Sequence, residues 1–245
     1  MAFKLDLEVM AHDIDVNCHA TPTAVVRYLQ ETVDRNLLCC KPTYQDLLAQ
    51  NLSFIVSRPA LQVHRPLKEY EKITVETWAT ESRTATFPRS FVIKSGEEIV
   101  VECLMIWALV NTEEQRLLRG SEFSVAGYGT GEALELSIPT RFKIPADANL
   151  TKCGDRVIMY SDIDRNLHMN NTKYFDMLFD YIPDREKVYM SSCLINYVSE
   201  AHYGSKIEIF IGEAEPSDDG ETFYTFRTVS DGKVNIEAKI GVRYI

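Results

Sequence analysis

The sequence predicts an α+β protein of two tandem domains, each an antiparallel sheet wrapped around a long helix. Three observations predict it: a seven-residue motif occurs twice, each copy opens a helix, and each helix is followed by β-rich sequence.

Residues 13–19 read DIDVNCH and residues 162–168 read DIDRNLH. Thr23 and Thr172 agree further on, at the same offset of 149 residues. A strand-like segment precedes each copy, with apolar residues alternating at Phe3, Leu5, Leu7 and Val9 and again at Val157 and Met159. Thr21 then stands before Pro22, and Asn170 before Asn171. Thr and Asn are good N-caps, and Pro suits the first helical turn. Apolar residues mark one face of each helix: Val25, Val26, Leu29 and Val33 in the first, Tyr174, Phe175, Leu178 and Phe179 in the second.

Four alternating, β-branched and aromatic segments follow in each half. Turn signals at Ser95-Gly96, Asp218-Asp219-Gly220 and Asp231-Gly232 separate them. A largely apolar helix followed by an antiparallel meander is best buried when the sheet wraps the helix, which is the hotdog arrangement. Residues 1–128 are expected to form the first domain, 129–150 a linker containing Gly129, Gly131, Pro139 and Pro145, and 151–245 the second domain. The first half carries an insertion around CCKPTYQDLLAQN, read as a helix extension or lid-like turn.

The chain has 245 residues, 45% apolar and 25% charged, which suits a globular protein with a core needing no staples. Six scattered cysteines without a C-x-x-C pair read as reduced thiols in a cytoplasmic protein, and Cys39-Cys40 as helix packing. No signal or transit character opens the chain, and no apolar run is long enough to span a membrane. A net charge of -10 without a Lys/Arg run argues against nucleic acid. His12, His64 and His202 stand isolated with no ligand spacing, so no metal and no cofactor are expected. No G-x-S-x-G elbow or phosphate-binding glycine loop is present. Trp107 reads as a core aromatic entering a turn.

The chemistry is expected at the second copy. Asp164, Asn166 and His168 alternate, so an extended segment places carboxylate, amide and imidazole on one face, just before a helix start with free N–H groups. Such groups can hold a carbonyl oxygen as it gains negative charge. A base to activate water is available at Glu200. Alternate polar residues before a helix also cap and shape turns, and the first copy keeps Asp15, Asn17 and His19. Two differences favour the second half as the working site. Aligning Ile73 with Ile207 puts Pro66 opposite Glu200, and Pro22 lacks the backbone N–H that Asn171 keeps. The first half is then expected to shape a pocket.

Over DIDRNLHMNNTKYFDMLFD the chain resembles the acyl-acyl-carrier-protein thioesterase family. The family pattern D-x-D-x-N-x-H-x-N-N-x-K-Y is met by Asp162, Asp164, Asn166, His168, Asn170, Asn171, Lys173 and Tyr174. RYLQE, SRPALQVHRPLKEYEKITVETW and the W-x-L-V-N-T-x-x-x-R turn carry the likeness through the first half. The resemblance implies a double hotdog thioesterase that releases free fatty acid from acyl-phosphopantetheine on acyl carrier protein. It implies catalytic roles for Asp164, Asn166, His168 and Glu200, and substrate contacts from Asn170 and Asn171. Plant members often carry Cys directly after the acid; this chain has Ala201, which leaves carboxylate-activated water as the simpler route.

An acyl-CoA thioesterase, a hotdog dehydratase and a non-enzymatic acyl-binding protein are the alternatives. A homodimer is open, because hotdog proteins often pair. A carrier protein is itself acidic, so docking calls for a local basic patch; Arg58, Arg65, Lys68, Lys72, Arg83, Arg89 and Lys94 are the candidates, expected on solvent-facing strands.

Overall fold

The structure is a computed structural model that describes residues 2–145 and 147–245; Met1, and Ala146 within the expected linker, lie outside it. The first half runs β1 (Phe3–Glu8), α1 (Pro22–Cys39), α2 (Tyr44–Ala49), β2 (Leu52–Val63), β3 (Lys72–Ala79), β4 (Phe87–Ser95), β5 (Glu98–Asn111) and a short β6 (Arg116–Leu118). The second runs β7 (Leu150–Val157), α3 (Lys173–Phe179), β8 (Val188–Tyr197), β9 (Lys206–Gly212), a short β10 (Glu215–Pro216), β11 (Thr222–Ser230) and β12 (Lys233–Tyr244).

All the strands join one antiparallel sheet in the order β1-β3-β4-β5-β2-β8-β12-β11-β9-β7, with β6 on β5 and β10 on β11. Read outward from the centre, the two halves have the same order: β2, β5, β4, β3, β1 and β8, β12, β11, β9, β7. They meet where Ala60, Leu61 and Gln62 of β2 pair with Leu194, Cys193 and Ser192 of β8. Each half therefore repeats the other's topology across a seam of three residue pairs.

Helix α1 buries Ala24, Val25, Leu29, Val33 and Leu37 against this sheet. α3 does the same with Tyr174, Phe175, Met177 and Leu178, but it is short, 7 residues against 18. The expected long helix is present in the first half alone. The chain explains the difference: Pro183 follows α3 closely, whereas no proline interrupts the first helix before Pro42. Proline removes an N–H and clashes with the preceding turn, so helices stop ahead of it. The insertion in the first half becomes the last turns of α1 and the capped helix α2.

The two helix starts finish each other. Asp176 on α3 accepts the Thr23 N–H at 2.8 Å, and the Thr23 hydroxyl accepts the Asp176 N–H at 3.2 Å and donates to the Thr172 carbonyl at 2.9 Å. Free N–H groups in the first helical turns thus find acceptors across the domain boundary. Burial raises the Asp176 carboxyl above its ordinary range, with the Thr23 N–H and hydroxyl working against it.

Candidate active site

Both motif copies fold as tight turns. In the first, Ile14 bridges Ala20; in the second, Ile163 bridges Met169. Asp164 Oδ1 accepts the Asn166 N–H at 2.8 Å, and its carbonyl accepts the Leu167 N–H at 3.0 Å. Leu167 takes φ 66°, in the left-handed region, and Cys18 takes φ 58° at the equivalent place. The expected extended segment is therefore replaced by a turn, because the Asp carboxylate bonds its own backbone two residues on. Asp15 does the same with the Asn17 and His19 N–H groups. Asp162 is buried beneath the second turn and paired with Arg156 at 2.5 Å.

The turn nevertheless delivers the expected residues to one place. Leaving it, His168 bridges His202, and the Met169 N–H donates to the Ala201 carbonyl at 2.8 Å. This lays Glu200 beside the imidazole, with Oε1 3.6 Å from His168 Nε2. Glu200 is 58% exposed and His168 22%. That spacing is longer than a direct hydrogen bond. His202 is exposed, 4.0 Å from the other Glu200 oxygen. In the first half His19 bridges Lys68 and the Ala20 N–H donates to the Leu67 carbonyl at 2.8 Å. The same register therefore places Pro66 where Glu200 stands.

Asp164, Asn166, His168, Asn170, Asn171 and Glu200 all line one cavity of about 620 Å³. The first half supplies its apolar wall, through Val26 and Val33 of α1, Phe54 and Val56 of β2, and Met105 and Trp107 of β5. Trp107 is thus a cavity wall as well as a packing aromatic. Asn170 Oδ1 accepts the Thr172 N–H at 2.9 Å and the Thr172 hydroxyl at 2.8 Å; the helix opens two residues later than expected, at Lys173, with Thr172 rather than Asn170 at the N-cap, so Asn170 shapes the turn ahead of it. Its amide N–H groups are not used by those bonds. The Asn171 carbonyl accepts the Tyr197 hydroxyl at 2.9 Å. The Asn171 N–H makes no hydrogen bond among the described residues.

Two charged cavity residues escaped the sequence reading. Asp34 of α1 brings a second carboxylate, raised by burial against the opposing charge of Arg165. Arg165 reaches from the motif turn into the first half, its guanidinium 4.3 Å from the centre of the Tyr44 ring, a cation–π distance. The signal for Asp34 was its place beside Gln30 and Val33, one to four residues away on the face of α1 that meets the cavity.

Three of the seven candidate docking cations are engaged or buried, while Lys68, Lys72 and Arg83 stay exposed. Arg65 is held by Glu71 and Glu98 at 2.7 and 2.8 Å. Burial works to raise the Glu71 carboxyl, but Arg65 and the Lys68 N–H together bring it down to about 2. Lys94 pairs with Glu76. Arg89 is buried rather than solvent-facing. Cys39 is exposed, not packed, and Cys40 is half-buried. Among the described residues no group of His, Cys, Asp or Glu is arranged to hold a metal ion, and no helix is long and apolar enough to cross a membrane.

Two sheet-wrapped helices in one chain, with a polar turn over an apolar cavity between them, define a double hotdog protein. The profile of the acyl-ACP thioesterase N-terminal domain matches residues 1–128, and that of the C-terminal domain residues 153–243. The chain belongs to the acyl-ACP thioesterase family. A chloroplastic acyl-[acyl-carrier-protein] hydrolase of Cuphea viscosissima is 22% identical over 90% of this chain and 57% of its own length. The chain thus spans little more than half the length of such curated relatives. In fold it matches an acyl-ACP thioesterase from Bacteroides thetaiotaomicron (TM-score 0.84, 19% identity, 99% of this chain and 98% of that one). It also matches the 12:0-ACP thioesterase of Umbellularia californica (TM-score 0.84, 19% identity, 100% and 94%).

Proposed function

We propose that this chain hydrolyses fatty acyl thioesters carried on acyl carrier protein, releasing free fatty acid and the carrier's pantetheine thiol. The observation that carries this reading is the Glu200–His168 pair, standing with a free Asn171 N–H at the polar rim of a 620 Å³ cavity whose wall is apolar. The acyl chain lies along Val26, Val33, Phe54 and Met105, and the thioester carbon sits at the rim. Glu200 takes a proton from water, whose oxygen attacks the thioester carbon. The C–S bond then breaks, and the proton passes to the departing sulfur. His168, Asn166 and the Asn171 N–H hold the water and the carbonyl oxygen as it gains charge. Asp164 shapes the turn that presents them. The scattered thiols fit a reducing compartment, and the cytoplasm is the proposed site of action.

Hydrolysis rates over a panel of acyl chains, each carried on carrier protein and on CoA, test the reading. Faster release from carrier protein is expected across the panel. Faster release from CoA would make this an acyl-CoA thioesterase, and binding without turnover would make it an acyl-binding protein.

A further inference from the structure

Arg89 is a buried cation without an anion. It is 7% exposed, on the core face of β4 between Phe87 and Phe91. Its Nε–H donates to Thr77 Oγ1 at 3.0 Å and its Nη2 to Asn36 Oδ1. Both acceptors are neutral and 0% exposed. Among the described residues no carboxylate pairs with it; the ionisable groups that act on it are Tyr128 and Cys40. Burial pulls its pKa down to about 10, so it stays charged at neutral pH. A guanidinium has five N–H donors, and these two bonds leave donors over. Buried charges are ordinarily matched by an anion or by a full set of acceptors.

Arg89 lines a small chamber of about 20 Å³, room for roughly one oxygen-sized group. Val33, Phe54 and Trp107 line this chamber and the large cavity alike, so it lies directly behind the apolar wall. Trp107 carries a second unmatched donor: its Nε1 is buried with no acceptor. Trp107, with its unmatched N–H, and Arg89, with donors to spare, thus wall one chamber. A plain methyl terminus seated there would leave the Trp107 N–H and the spare Arg89 N–H groups without a partner, which costs stability where they are buried.

We infer that this chamber receives the far end of the acyl chain and selects chains that carry one acceptor oxygen there, a hydroxyl or a keto group. This rests on the reading of the large cavity as the acyl pocket.

The test is binding, not turnover. Non-hydrolysable thioether analogues of acyl-pantetheine, matched in length with and without a terminal hydroxyl, are titrated by calorimetry over a range of chain lengths. The proteins are the wild type, Arg89→Gln and Trp107→Phe. At the best length the hydroxylated analogue is expected to bind about tenfold tighter to wild type, the worth of one hydrogen bond to a charged donor. The ratio should fall toward one in both variants. Trp107→Phe keeps the ring and decides the matter if Arg89→Gln does not fold. Equal or weaker binding of the hydroxylated analogue at every length, or a preference that survives both substitutions, overturns the inference and leaves the acyl pocket standing. Failure of both analogues to bind at any length overturns the pocket as well.

Discussion

The two copies of the motif turn have nearly the same backbone and very different surroundings. Each is closed by one bridge, each uses its Asp to hold the N–H two residues on, and each carries a left-handed residue before the histidine. Around His168 opens a cavity of about 620 Å³ with Glu200 at its edge. Around His19 the space is about 30 Å³, filled by Val25, Leu67, Phe179 and Met190, with Pro66 in the place of the acid. Asn17 is spent on the Glu186 carbonyl at 3.0 Å, while the Asn166 amide faces the cavity. The turn is therefore architecture in both halves. What distinguishes a reactive copy is what the neighbouring strand end and the opposite domain bring to it.

Substitutions can break that comparison or sharpen it. The largest expected effect is from Glu200→Gln, which should lower kcat by at least ~10²-fold, the low end for loss of a general base. Its side chain is exposed, so circular dichroism and melting temperature should be unchanged. Near-normal turnover of the folded variant would remove the acid from the mechanism, and with it the main contrast between the halves. Next come the histidines. His168→Ala should abolish most turnover at little cost in stability. His19→Ala should leave turnover largely in place and lower the melting temperature by a few degrees, since ~1 kcal/mol shifts a domain of this size by about 2–4 °C. Equal losses of activity in two folded variants would mean that both turns work.

A smaller effect tests the link between the halves. Asp176→Ala removes the acceptor for the Thr23 N–H, and a loss of roughly 1 kcal/mol is expected in urea unfolding, the usual worth of a helix cap. An unchanged midpoint would show that the cross-boundary cap is dispensable. The smallest effect concerns Asp34. Its folded-state pKa is raised by burial, so ionising it opposes folding. Wild-type stability should fall as pH rises through that raised value. Asp34→Asn escapes this, so its melting temperature should exceed that of wild type near pH 7. The gap should vanish below about pH 4, where the carboxyl is protonated in both states. A gap that persists in acid would assign the effect to packing instead.

Much of this arrangement could be read from the residues. The repeat, the Thr21 cap and the alternation of β1 were local signals, and Pro66 against Glu200 followed from one alignment. The turn was legible only as the competing reading of the motif, because alternating Asp, Asn and His fit an extended strand equally well, and a leucine at positive φ leaves no mark in sequence. The brevity of α3 was readable in Pro183 but was outweighed by the apolar face of Tyr174, Phe175 and Leu178. Arg89 was misplaced for a similar reason. Its charge suggested solvent, while its spacing of two from Phe87 and Phe91 put it on the core face. Arg165 over Tyr44 joins residues far apart in sequence and had no local signature.

The crossed caps at the helix starts bear on how the site comes into being. Thr23 and Asp176 satisfy each other only when both halves are in place, and Arg165 reaches Tyr44 only then. Either half on its own would have a mouth without a wall or a wall without a mouth. The cavity is thus a property of the assembled pair rather than of either half. A chain emerging from the ribosome with its first half complete would still be chemically silent.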